Sequence, residues 1–153
     1  MTIHNEQGRT MLEMLGVIAI MGVIVYGAIA GINYGMSSYK INQTYTEIQN
    51  VIQGVQDLYS WSRQYPASSD DMMNAACEND VFSMSCKGNK NNYAGQSQFG
   101  DIMIVPDNDR MSFTVSIVVP NVSDQERLGS MDWEAVRVHQ DQTVGHQMNF
   151  KPL

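Results

Sequence analysis

Basic residues are scarce in this chain. Nine Lys and Arg stand against sixteen Asp and Glu, a formal net charge of −7. Residues 66–153 alone hold twelve acidic and six basic side chains, a net of −6. Nucleic-acid binding relies on Lys and Arg meeting phosphate, so this balance argues against such a partner. Cysteine is scarce too: Cys77 and Cys86 are the only two, and they are not spaced as CxxC. His4, His139 and His146 are scattered. Neither type offers the ligand spacing of a zinc site, so no metal and no resident cofactor is expected. The sequence has no nucleophile motif, phosphate-binding loop or paired acid and base, and a non-enzymatic role is expected. Two local absences matter more. No proline falls between Thr2 and Tyr65, and no charge falls in residues 14–32.

What fills those gaps is an apolar run. Met14 to Ile32 is built mostly of Met, Leu, Val, Ile, Ala and Gly. A bilayer core about 30 Å thick needs roughly 20 helical residues, so the run is long enough to span one. The whole-chain mean hydropathy of −0.26 hides it by averaging it with a polar remainder. The preceding MTIHNEQG has no Lys or Arg, and no small-x-small cleavage site follows the run. Both differ from an ordinary secretory signal, so the span is expected to be retained. Arg9 before it and Lys40 after it barely set an orientation. The cysteines tip the balance. If they pair, the C-terminal part lies outside the cytoplasm and the N-terminus inside. Two unpaired thiols are the plain alternative.

One acid interrupts this apolar end. Glu13 lies just inside the run from Met11, where a charge in hydrocarbon is costly. Further along, Gly27, Gly31 and Gly35 are spaced by four, a smooth stripe at which another helix can approach closely. Glycine is also common in membrane helices generally, so the stripe has a plain reading as well.

The helical rhythm continues past the span. Ile41, Tyr45, Ile48, Ile52, Val55, Tyr59 and Ser62 follow steps of 4 and 3. They form one stripe, backed by Asn42, Gln43, Glu47, Gln49, Asn50, Gln53 and Gln56. Pro66 disfavours helix in the residue before it, so the expected helix runs from about Thr10 to Arg63. At 1.5 Å per residue that is roughly 80 Å. Its amphipathic half needs a surface to cover it, and residues 67–153 are too few and too polar for a large core of their own.

That remainder predicts a small antiparallel sheet. "DIMIVP" (101–106) and "RMSFTVSIVVP" (110–120) look like strands around a "DNDR" turn, with Phe113, Val115, Ile117 and Val119 on one face. "SDQERLGSM" (123–131) starts with an N-cap serine and has Glu126 three residues on, a capping-box pattern. "EAVRVHQ" (134–140) and "HQMNF" (146–150) are the expected last strands, and residues 86–100 are a loop by composition. A Cys77–Cys86 bridge would pin the loop between the long helix and the sheet, for roughly 2–4 kcal/mol in the chain-entropy account. The fold class is α+β: a long N-terminal helix, transmembrane then amphipathic, packed on a small antiparallel sheet.

The stretch from Gly8 through Arg9, Thr10 and Leu12 to Glu13, followed by an apolar and then an amphipathic helix, resembles the N-terminus of type IV prepilins. The resemblance covers residues 8–65. In layout the remainder looks most like type IVb and conjugative-plasmid pilins. It differs from the family in four ways: Arg9 is not apolar, the leader has no basic residue, the cysteines sit early, and the apolar helix has no proline. The last would leave any partial melting of that helix on assembly to Gly22 and Gly27.

The resemblance implies a leader at 1–8, a membrane and assembly half of the helix at 9–34, an amphipathic half at 35–65, and a globular head at 66–153. It implies cleavage between Gly8 and Arg9 by a membrane-embedded aspartyl peptidase, and N-methylation of Arg9. It implies that Glu13 of one subunit meets the cationic N-terminus of a neighbour in a filament. The partners implied are further copies of the chain, the prepilin peptidase, an inner-membrane assembly machinery, and lipid before assembly. The place implied is the bacterial inner membrane, with the N-terminus cytoplasmic, and then an extracellular filament that serves adhesion, motility, conjugation or secretion. A type II secretion pseudopilin or a minor pilin shares the same signal. From another class, a bitopic membrane protein with a ligand-binding outer domain would carry the span without polymerising, and Glu13 would then reach for the headgroups.

Overall fold

The computed structural model describes residues 6–62, 64–82, 86–89, 93–141 and 147–153, and of residues 6–10, 140 and 141 the backbone alone. The expected start of the leader at residues 1–5, the expected helix end at Arg63, loop residues 90–92 and the expected strand start at His146 lie outside the described residues. Helix α1 runs Glu6–Leu58, and the chain divides into two units between Ser38 and Tyr39. From Glu6 on, the first unit is helix. It has no proline and no buried side chain among Met11–Met36.

The second unit is α+β. Helix α2 (Ser69–Glu78) is followed by strands β1 (Cys86–Lys87), β2 (Ala94–Gln96), β3 (Asp101–Pro106) and β4 (Phe113–Val118). Helix α3 (Val122–Gly129) and strands β5 (Val136–Asp141) and β6 (Gln147–Pro152) complete it. The six strands form one antiparallel sheet in the order β1-β2-β3-β4-β6-β5. Alternation decides the inward face. Ile102 and Ile104 on β3, Phe113, Val115 and Ile117 on β4, and Met148 and Phe150 on β6 are all buried. In register, Ile102 faces Ile117, Ile104 faces Val115, and Val115 faces Phe150. Such cross-strand apolar neighbours are the unit of sheet stabilisation.

The later part of α1 completes this core with Ile41, Ile48, Val51, Ile52 and Val55. The covered face is wider than the expected stripe. Val51 and Thr44 are fully buried, and Glu47, expected on the polar back, is only 4% exposed. Steps of 3 and 4 from Thr44 through Glu47 to Val51 place all three beside Ile48, so the packed surface takes them in together. Tyr45 marks one border. Its ring meets the Trp133 ring at 4.7 Å, its hydroxyl donates to the Asp132 carbonyl at 2.6 Å, and it accepts from Gln49 Nε2. Trp133 then stacks toward Phe150 at 4.5 Å and donates its indole N–H to the Leu128 carbonyl.

Helix α1 ends before the proline expected to stop it. Ser60 N donates to Asp57 O and Ser62 N to Tyr59 O, a tightened last turn. The chain is then tied to the β3–β4 hairpin. Tyr65 N donates to Arg110 O and Arg110 Nε donates back to Tyr65 O, each at 2.8 Å. Tyr65 also packs edge-on between Tyr59 and Phe113. Burial pushes both phenols above their usual pKa, and Asp71 adds to the push at Tyr59.

Four further expectations are corrected. The composition-based loop at 86–100 contains β1 and β2, which pairing along β3 makes into strands. The cap of α3 is Asn121, not Ser123: Asn121 Oδ1 accepts from Ser123 N at 3.1 Å, so Ser123 lies inside the helix. Strand β5 starts two residues late, because Ala135 takes a left-handed turn at φ 57°. Cys77 and Cys86 form the expected disulfide between the long helix and the sheet, but the segment it pins is not all loop: it joins α2 to β1.

Candidate membrane and assembly segment

In the first unit, an apolar sequence has folded into helix with its described side chains exposed. Every residue from Met11 to Met36 is exposed. Val23 is 73% exposed, and Tyr26 is 77% exposed. Soluble monomers rarely show a contiguous apolar surface of more than a few hundred Å², and one this long marks an interaction with lipid or protein. Helix α1 is long and apolar enough to cross a membrane.

The residues singled out from the sequence lie along this helix. Gly8 and Arg9 are in its first turns, where the backbone is helical. Glu13 is one turn further on, exposed, between the exposed side chains of Leu12 and Met14. The next charged residue is Lys40. From Glu13 to Tyr34 the helix rises about 31 Å at 1.5 Å per residue, close to the thickness of a hydrocarbon core. So the acid and an exposed tyrosine bracket a charge-free cylinder of membrane length.

Gly27, Gly31 and Gly35 follow one another at single-turn spacing, and a Cβ on any of them would meet nothing within 4 Å. Glycine is therefore not needed there for packing within the chain. The space is open for a neighbouring helix or for lipid.

The second unit offers less chemistry. One groove of about 380 Å³ is lined by Gln49, Gln53 and Gln56 on α1 and by Glu134, Val136 and Leu153. A shallower hollow is lined by Pro106, Asp107, Asn108 and Asp109. Asp107 is engaged already: it accepts from Lys151, Ser112 and Thr114, and these bonds hold its carboxyl below the usual aspartate range. Among the described residues, no three of His, Cys, Asp and Glu lie together as a metal set.

The sequence located the apolar segment and Glu13 but missed one cluster in the head. Phe82, Gly95 and the disulfide converge at the sheet's edge. The signal was faint, a phenylalanine and a glycine within a polar, Asn-rich stretch. Comparison with protein-family models, with curated proteins and with solved structures finds no match.

Proposed function

We propose that this chain is the structural subunit of a type IV pilus-like filament. It is made as a prepilin, held in the inner membrane with its N-terminus cytoplasmic, cleaved between Gly8 and Arg9, and polymerised through its N-terminal helix. The observation that supports this best is the exposed helix Met11–Met36 with its single acid, set five residues after Gly8 and joined to a separately packed α+β unit. Such a surface needs lipid around it first, and in a filament the same surface packs against identical helices.

Glu13 has a role in each setting. In the membrane it sits at the inner end of the span, within reach of headgroups. In the filament its carboxylate meets the new α-amine of a neighbour's Arg9. A buried charge without a partner is strongly disfavoured, so the pairing selects the axial register between subunits. The chain itself does no chemistry. A prepilin peptidase cuts and methylates it, and an inner-membrane machinery extracts it from lipid. A pseudopilin or minor pilin would follow the same steps, and its low abundance in filaments would set it apart. A bitopic receptor would keep its N-terminus.

The experiment is an intact-mass measurement on protein recovered from membranes and from sheared cell-surface material. The expected mature chain starts at Arg9 and carries one N-methyl group. Replacing Gly8 with a bulky residue should leave precursor in the membrane. Met1 on the assembled protein would contradict the reading.

A further inference from the structure

We infer that the Cys77–Cys86 disulfide is an oxidation-operated latch, which seats Val81 and Phe82 in two notches where α1 and β2 carry glycine. The chain turns back sharply after α2. Asn79 N and Nδ2 both donate to Ala75 O, Asp80 takes the left-handed φ of 53°, and Val81 N donates to Ala76 O at 2.9 Å. Aspartate is among the few residues that visit that region readily. The turn aims the next two side chains inward. A Cβ on Gly54 would lie 2.7 Å from Val81 Cγ1, and a Cβ on Gly95 would lie 2.1 Å from Phe82 Cε1. So the Phe82 ring, only 6% exposed, lies against the β2 backbone where a Cβ at Gly95 would force it to shift.

Gly95 links this plug to the cysteines. It pairs with Cys86 on one side and with Ile102 on the other. Cys86 is tied in turn to Cys77 on α2, whose Met72, Met73 and Ala76 are buried. Strand β1 has two residues and two pairing positions, too few to hold an edge unaided. The covalent tie closes the ring formed by α2, the plug, β2 and β1. Removing it leaves β1 to its two-residue pairing with β2, and so loosens the edge beside Gly95 on which Phe82 is seated.

Closing the latch is a balanced exchange. Two thiols lose two electrons and two protons to a disulfide-bearing oxidant, either a small-molecule disulfide or an oxidoreductase. One S–S bond forms in the head, and the oxidant's bond opens to two thiols. The head therefore completes its edge only in an oxidising compartment. Linkage makes the effect reciprocal: if oxidation favours the seated plug, the seated plug favours oxidation by the same factor. All parts lie between Gly54 and Ile102 of the second unit, so the inference does not depend on the filament reading.

The test is the dithiol–disulfide equilibrium constant of the full chain in detergent, measured against glutathione buffers while circular dichroism reports that the head stays folded. Phe82→Ala should lower the constant about tenfold, within the ordinary range of coupling between sites. Gly95→Ala should lower it similarly, and should add nothing in the Phe82→Ala background. Met148→Ala, which empties the core at β6, should leave it within about twofold. If Gly95→Ala does not fold, the Phe82→Ala and Met148→Ala pair decides alone. An unchanged constant in Phe82→Ala, or an equal fall in Met148→Ala, would overturn the latch.

Discussion

Ile24 and Ile48 belong to the same helix and meet opposite fates. The first is 64% exposed and the second is fully buried. Their side chains are identical, so the difference lies in their neighbours along the chain. Around Ile24 the apolar residues go all the way round the helix, and no polar face tells the chain which side to cover. Around Ile48 the pattern is one-sided, with Asn42 and Gln53 exposed, and a sheet with a matching apolar face is at hand. Folding of this chain buries the second kind of surface and leaves the first kind exposed.

The sharpest way to break that comparison is to make the same change in both places. Ile48→Ala should destabilise the Tyr39–Leu153 unit by about 2–5 kcal/mol, as large-to-small changes in a filled core do. Ile24→Ala should change it by no more than about 0.5 kcal/mol, the ordinary size for a surface substitution. Denaturant titration in detergent, followed by tryptophan fluorescence, reads both. Equal losses would mean that the first unit is part of the head's core.

A charge probes the other side of the comparison. Ile24→Lys should disfavour membrane insertion by about 3 kcal/mol, as lysine does at a span's centre. It should leave the head's unfolding midpoint where it was. The share of newly made protein in the membrane fraction measures it, and unimpaired insertion would show that the segment does not sit in hydrocarbon.

The smallest effect concerns pH, and only the second unit. The Asp107 carboxyl is held below its usual value of about 3.9 by Lys151 first, then by Ser112 and Thr114. A carboxyl whose folded pKa is depressed stabilises the fold above its unfolded pKa, and that contribution is lost as pH falls through the folded value. Both partners are partly solvated, so the contribution is modest. Asp107→Asn should flatten the fall in stability below about pH 4 and change little at pH 7, as thermal melts across that range would show. An unaltered acid limb would mean that the ion pair adds nothing.

How far these features can be read from the sequence depends on how local their causes are. Asp101–Pro106 is legible because its alternation and its flanking turns lie within a few residues. Helix α2 is not. Ten residues give too short a period, and its stability comes from its Ser68 cap and from burying Met72, Met73 and Ala76 under a sheet formed later in the chain. Strands β1 and β2 owe their form to partners, since two and three residues among Gly and Asn carry no strand signal. Glu47 is buried although its spacing sets it on the polar back, because spacing gives a helix its period but not the width of the face that will be covered. At the cap of α3, both Asn121 and Ser123 are suitable residues by type, and spacing alone does not choose Asn121 as the cap. In the first unit, Glu13 and the apolar run are plain in the sequence because they are consecutive. The folded chain leaves them exposed, so what covers them is written in neither the sequence nor the fold.

That missing surrounding is what the Glu13 carboxylate tests most directly. Co-expressing Glu13→Gln with the unaltered chain and measuring the mutant-to-unaltered ratio by mass spectrometry, in membranes and in sheared cell-surface filaments, compares the two settings in one sample. The substitution should leave the head intact and make membrane insertion easier, so membranes should hold both forms. The account predicts a marked depletion of Glu13→Gln from the filaments relative to the membrane pool. An equal ratio in the two fractions, or no chain of either form in the sheared material, would contradict it.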